Sequence, residues 1–298
     1  MEVYRILKNI MKKSMKIPLI KYLLRNIYYK MNYNTELSLI KNRYKNNNQH
    51  DSIIHFSMNK AATQYVKSIL KKLGEYNGMV NVDYHSYAFK SNFPYLDTLS
   101  NKNFQKYKYL FQEKGYIYSV FGGMIEGIES LDKYKVILLV RDPRDALVSN
   151  YYSVAYSHPV PPTYSNKYED FKKKREYARS VKIDEFVKFD LPRVKPILLR
   201  YNTLLIKKYS NFYLTKYEDM VVDFKAWFDK LIEYCELGIK DDLYNSILKE
   251  NKDLKPQKEN INKHIRKGIA GDYKNKLKKE TINYLNKELE EVLNIYNY

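Results

Sequence analysis

The chain has 298 residues, a formal net charge of +19 and a sequence pI near 9.5. That length buries one large α/β core, with residues left for loops and an appendage. Cys235 is the single cysteine, which excludes a disulfide framework and a cysteine-rich zinc site and fits a reducing, cytoplasmic compartment. The positive balance points to polyanionic partners: nucleic acid, an anionic membrane surface, or acidic glycans and nucleotides. Much of it, however, belongs to a chain rich throughout in Lys, Asn, Ile and Tyr, the bias of AT-rich coding sequence. The 32 tyrosines are scattered, without the spacing of an RNA-stacking surface.

Residues 1–34 carry two short helical patterns, one through Ile6, Leu7, Ile10 and Met11 and one through Leu19, Ile20, Leu23, Leu24 and Ile27, divided by Pro18. Lysines recur, neither apolar run reaches the length of a bilayer span, and no small-residue cleavage site follows. The segment reads as an interfacial helix on an anionic bilayer or as an appendage packed on the domain. A polar linker over 41–50 closes an appendage-and-linker region of 1–50 and leaves 51–298 as the main domain. Ser52 to Phe56 is a first strand, followed by a loop carrying Lys60 and Thr63. An amphipathic helix then runs through Tyr65, Val66, Ile69, Leu70 and Leu73. Strand, short loop and helix form an anion site, because loop amides and the positive helix end point at the ligand. The two-glycine Walker loop is absent, which disfavours an ordinary ATPase or nucleotide kinase. Met79 to His85 reads as another strand with Asp83 and His85 alternating onto one face, a pair able to act as an oriented general base. Residues 90–114 read as loops and a short helix, and Tyr116 to Phe121 as a strand entering Gly122-Gly123.

Val136 to Val140 is a continuous apolar run, the mark of a strand buried on both faces in a parallel sheet. Arg141 ends it, Asp142-Pro143 disfavours helix before the proline, and a helix starts near Asp145. Arg141 and Ser149 therefore flank a strand-to-helix corner, where open α/β sheets bind ligands. A forked guanidinium beside a hydroxyl suits a phosphate; a surface ion pair between Arg141 and Asp145 is the plainer alternative. Residues 157–180, with Pro159, Pro161 and Pro162, are too long for a simple connection and read as a lid or a disordered loop. Two helical patterns follow, near 183–190 and 192–209, and then a strand over 211–216 ended by Tyr217-Glu218-Asp219-Met220. Asp223 caps a helix whose apolar face is Phe224, Trp227, Phe228, Leu231 and Ile232. A cationic, glycine-punctuated loop covers Arg266 to Tyr273, and Thr281 caps a final amphipathic helix. The order of elements predicts an α/β fold: a single domain with a central, mostly parallel sheet flanked by helices, plus the N-terminal helical appendage.

Four of these pieces, in this order, resemble the sulfotransferases that use 3′-phosphoadenosine 5′-phosphosulfate (PAPS), whose fold is P-loop-like. The Lys60–Thr63 loop is similar to their 5′-phosphosulfate loop, and Arg141 through Ser149 to their 3′-phosphate motif. Tyr217-Glu218-Asp219 and Arg266-Lys267-Gly268 with Gly271-Asp272-Tyr273-Lys274-Asn275 are similar to two further family segments. The resemblance spans about residues 52–280. It implies that Lys60, Ala61, Ala62, Thr63, Gln64 and Tyr65 surround the 5′ end of the nucleotide, with Lys60 neutralising the leaving oxygen and Tyr65 standing where an adenine-stacking ring is common. Arg141, Ser149, Arg266, Lys267 and the Gly268 amide would hold the 3′-phosphate, and Tyr217 would contact adenine. It implies PAPS as donor, 3′-phosphoadenosine 5′-phosphate (PAP) as product, no metal and no nucleic-acid partner. The acceptor is expected to be a hydroxyl or amine, on a glycan or glycolipid. The sequence departs from the family at Ala62, where glycine is common, so a positive φ is not expected there. It departs again over Ser119-Val120-Phe121-Gly122, which lacks the usual histidine. His85 is the leading replacement base, with Asp83 and Glu126 behind it. The alternatives are a basic nucleic-acid-binding protein or another nucleotide-binding protein of P-loop-like fold.

Overall fold

Three runs too apolar for any solvated face become the centre of a five-stranded sheet. In a computed structural model that describes residues 18–163, 165–254, 256, 258–263 and 265–298, β1 (Ile53–Ser57) and β3 (Tyr116–Phe121) are buried throughout, and β4 (Lys135–Val140) from Val136 onward. β2 (Val80–Val82) and β5 (Tyr213–Lys216) form the edges. The order is β2-β3-β1-β4-β5, and every pair is parallel. After β1 the chain runs out to β2 and returns through β3; after β4 it leaves the other way, to β5. The C-terminal ends of β1 and β4 thus lie side by side at the switch point, with Ser57 in register with Leu139. That is the crevice where such sheets take ligands.

Helix Thr63–Tyr76 packs Val66, Ile69, Leu70 and Leu73 inward, as its spacing predicts. Helix Phe224–Cys235 buries Phe224, Trp227, Phe228 and Leu231, and Asp223 caps it by accepting from Ala226 N at 3.0 Å. The Trp227 indole donates to Thr215 Oγ1 at 2.6 Å, so its polar edge is satisfied inside the core. Cys235 is buried, and burial pushes its thiol up to about 12, leaving it inert.

Several expectations are corrected. Helix Pro143–Tyr152 starts at the proline rather than near Asp145. Asp142 is its N-cap, accepting from Arg144 N at 2.9 Å, and proline suits the first helical position. The two patterns after residue 182 are one helix, Ile183–Tyr201, which continues through Pro192 and Pro196. Burial of Phe186, Val187, Leu191, Val194 and Leu198 outweighs the donors lost. Thr281 does not cap the last amphipathic helix, which begins at Lys279; it lies buried inside the first turn. The segment 157–180 is only partly loop, because Tyr168–Ser180 is helical. Arg175 donates to the Val154 and His158 carbonyls and Arg179 to the Ala155 carbonyl, tying that helix to the wide turn Ser153–Ser157.

The chain divides into two compact units at Lys45/Asn46. The smaller has helices Pro18–Asn32 and Asn34–Ile40; the pattern through Ile6 and Met11 lies outside the described residues. In the larger unit, Asn46 Nδ2 donates to Gly115 O at 2.6 Å and Asn48 Nδ2 to Asn77 O at 2.8 Å. Among the described residues no helix is long and apolar enough to cross a membrane. Replacing the Asp223 cap, Asp223→Ala, is expected to cost about 1 kcal/mol in urea denaturation with an unchanged m-value.

Candidate active site

The loop leaving β1 is built on hydroxyls. Thr63 Oγ1 meets Ser57 Oγ at 2.9 Å and donates to Met58 O at 3.2 Å, so the helix start folds back over the strand end. Closing so tight a turn puts Lys60 at φ 76° and Ala62 at φ 59°. The expectation that Ala62 avoids positive φ is therefore wrong. The loop accepts roughly 1–2 kcal/mol of strain at each residue, while Ala61 packs fully buried beneath it. Lys60 is partly buried, and its ammonium falls to about 8, through burial first and then the charges of Arg141 and Arg193. Among the described residues no acid offsets these effects, so an anionic ligand would be its natural partner.

Across the crevice Arg141 links four segments. Its Nη1 donates to Lys60 O at 3.0 Å, its Nη2 to Ile269 O at 3.2 Å and to Asp145 Oδ2 at 3.4 Å, and its guanidinium lies 4.1 Å from the Tyr217 ring centroid. The Arg141–Asp145 ion pair anticipated as the plainer reading exists, but it is buried and not superficial. Arg141 Nε is buried without a partner among the described residues, a donor that an oxyanion would satisfy. Asp145 also accepts from Gly271 N at 2.6 Å and Tyr273 N at 2.8 Å, which seats the C-terminal loop. In that loop Arg266 pairs with Glu259 and Asp272, Lys267 pairs with Asp272 at 2.8 Å, and Gly268 turns at φ 67°. Arg266 also lies 4.4 Å from the Tyr152 ring. Lys276 pairs with Glu259 as well, so three cations share two carboxylates and the loop keeps a positive surplus.

One cavity of about 830 Å³ joins these parts. It is lined by Lys60, Ala62, Thr63, Gln64, Tyr65, Arg141, Ser149, Tyr217, Arg266, Lys267 and Gly268, together with His85. Of the residues expected at the nucleotide, Ala61 alone does not line it. Sequence reasoning missed Tyr95, His158, Lys167, Phe171, Arg193 and Asn251, which line the same cavity from distant segments and carry no local motif.

The geometry around His85 differs from the expectation. The strand stops at Val82, and Asp83 is the N-cap of helix Tyr84–Lys90, accepting from Ser86 N at 2.8 Å. The cap bond wins over a three-residue alternation, so Asp83 and His85 do not share a strand face. Asp83 is also paired with Lys67, and Glu126 with Arg200 at 2.9 Å. Neither carboxylate lines the cavity, whereas His85 does. His85 lies against Tyr95 at 4.8 Å, and burial lowers its basicity against the opposing charges of Asp97 and Asp83.

A cation-lined crevice at the switch point of a parallel sheet defines an α/β protein with a ligand-sized cavity. Residues 128–296, more than half of the chain, match the family model described as the sulfotransferase domain, and the chain belongs to that family. The matched span holds Arg141, Ser149, Tyr217 and Arg266–Gly268; the Lys60 loop precedes it. Sulfotransferase 2A6 of Mus musculus is 25% identical over 157 residues, which are 48% of this chain and 50% of that protein. The chain thus spans about half the length of this curated relative. The structure of mouse sulfotransferase SULT7A1 complexed with PAP superposes with a TM-score of 0.54 at 17% identity, covering 86% of this chain and 88% of that one. That likeness establishes the shared fold.

Asp145→Ala is expected to cost roughly 3–5 kcal/mol, since it strips a buried partner from Arg141 and from two amides. Urea denaturation at pH 7 measures it, and trypsin should cut the loop around Lys267 faster in the variant than in the parent.

Proposed function

We propose that the protein is a PAPS-dependent sulfotransferase acting on a hydroxyl or amine of its acceptor. The observation that carries this reading is the single cavity with an uncompensated Lys60 at one side and the Arg141–Arg266–Lys267 cluster at the other. It offers cationic groups from two different loops to a nucleotide with charge at its 5′ and 3′ ends. PAPS, when bound, supplies the activated sulfuryl group. Lys60 and the Thr63 helix start then lie where charge develops on the departing 5′ oxygen, stabilising the transition state more than the ground state. Arg141 Nε, Ser149 and the Arg266–Gly268 loop hold the 3′-phosphate, while Tyr65 and Tyr217 offer aromatic faces for adenine. His85 stands on the acceptor side, where a general base belongs. In-line transfer of this kind depends on positioning and charge, as phosphoryl transfer does.

The acceptor we favour is a sugar hydroxyl of a glycan or glycolipid. Phe89, Tyr95 and Phe171 supply ring faces on the cavity wall beside Lys167 and Arg193, an arrangement suited to a polar, ring-shaped acceptor. A cytoplasmic enzyme touching membranes peripherally through its basic residues 1–34 fits this acceptor class.

Thermal shift is expected to rank PAP far above ATP and above a short RNA. Adenosine 5′-phosphosulfate should bind more weakly than PAPS by roughly 2–4 kcal/mol, the worth of the charge-assisted contacts to the 3′-phosphate. Equal affinity would rule out the Arg141–Ser149 assignment, and preferential, salt-sensitive RNA binding would favour the nucleic-acid alternative. Lys60→Ala should lower turnover far more than PAP affinity. Because PAP is an anion that gains from the protonated form, its affinity should fall modestly as pH rises through about 8 and then level off. Lys60→Met should abolish that slope.

A further inference from the structure

Among the buried side-chain atoms of the larger unit that lack a partner among the described residues are His85 Nδ1 and Asp97 Oδ1. Asp97 lies in the tight turn Leu96–Thr98 and is 7% exposed. Its other oxygen, Oδ2, accepts from Gly123 N at 2.7 Å in the loop leaving β3. A Cβ at Gly123 would stand 3.0 Å from Asp97 O, so a side chain there would crowd that seat. Tyr95, two residues before Asp97, holds the His85 ring face at 4.8 Å. The ring therefore has one nitrogen, Nδ1, turned into protein and the other, Nε2, left to the cavity that His85 lines.

A buried carboxylate oxygen and a buried imidazole nitrogen, each unsatisfied, are costly apart and complementary together. Resting on the sulfotransferase reading above, we infer that Asp97 is the positioning carboxylate of His85: it selects the Nδ1–H tautomer and leaves Nε2 as the base for the acceptor. The acceptor oxygen bonds to sulfur, the bond from sulfur to the 5′-phosphate oxygen breaks, and the acceptor proton passes to Nε2. Asp97 stabilises the imidazolium formed, the division of labour seen wherever a carboxylate orients a histidine base. Such bonds commonly close only when ligands bind.

The charges acting on His85 are Asp97 first, then Asp83, both favouring the imidazolium, and Lys67 and Lys167 opposing it. Lys67 is already paired with Asp83, and Lys167 bonds to the Ala88 and Ser91 carbonyls from above the Tyr95 ring. Asp97 is thus the acid near His85 without a paired cation among the described residues. Only its backbone-anchored oxygen is engaged.

The test is histidine NMR on the full chain, with His85→Gln used to assign the resonance among the five histidines. In the unmodified protein the neutral His85 ring should be the Nδ1–H tautomer, and an Nε2–H tautomer would overturn the proposal without any variant at Asp97. Asp97→Asn keeps an oxygen for Gly123 N but removes the charge. It should lower the His85 midpoint by about one pH unit, move the acid limb of kcat/KM downward by the same amount, and leave PAP binding unchanged. An unmoved His85 midpoint would reduce Asp97 to a loop anchor and overturn the role. Failure of the unmodified protein to bind PAP would overturn the sulfotransferase reading instead, with the tautomer and midpoint still measurable.

Discussion

The buried carboxylate of Asp145 is the constraint on which the site depends. One side chain, fully withdrawn from solvent, holds the guanidinium that ends β4 and the amides of Gly271 and Tyr273, more than a hundred residues away. Without it Arg141 would be a buried cation next to Lys60, and the C-terminal loop would have no seat at the switch point. Burying such a pair is not a source of large net stability, because desolvation offsets the attraction. Its return is geometric: the guanidinium keeps one orientation, with Nη1 spent on Lys60 O and Nη2 on Ile269 O.

Charge in this crevice is managed by leaving selected cations short of acids. Asp142 is consumed by Arg144, Asp190 by Lys174 and Arg193, and Glu218 by the Asp142 amide and the Tyr298 hydroxyl. Lys60 is left with cationic neighbours only, and burial brings its ammonium close to neutral pH. A lysine so placed gains most when an anion arrives, which couples its protonation to ligand binding. The strained turn that presents it, with two non-glycine residues at positive φ, is held by the hydroxyl pair of Ser57 and Thr63 and by the fully buried Ala61. Strain of this kind persists only where surrounding contacts over-determine the backbone.

The cavity wall around His85 is assembled differently. His85 comes from the helix after β2, Tyr95 and Asp97 from the turn that follows, Phe171 and Lys167 from the segment after the prolines, and Arg193 from a helix that passes two prolines of its own. Only His85 stands at a strand-to-helix corner, that of β2 at the sheet edge. The wall with Lys60 and Arg141 is a property of β1, β4 and their turns; the wall with His85 is largely a property of what the helices lay over them.

That difference decides what could be read from the chain alone. The apolar run Val136–Val140 states its own burial, and Arg141 and Ser149 after it state a ligand corner, because a strand and the turn that ends it are local. Lys60 and Thr63 after β1, and the ordered segments at Tyr217 and Arg266, were legible for the same reason. The sign of φ at Ala62 was not, since only closure of the loop onto Ser57 and Met58 imposes it. Nor was the end of the strand before His85: Val80, Asn81 and Val82 alternate as a longer strand would, and the cap bond from Ser86 to Asp83 exists only once the chain has turned. Whether Arg141 and Asp145 pair at the surface or in the interior likewise depended on a loop from residue 266 onward folding across them. The sequence by itself determined a parallel α/β sheet and the cationic corners at its switch point, because short-range periodicity and turn chemistry encode both. Only the tertiary structure decided which distant side chains face those corners and which of their polar atoms stay unpaired, because burial and desolvation are properties of the packed chain.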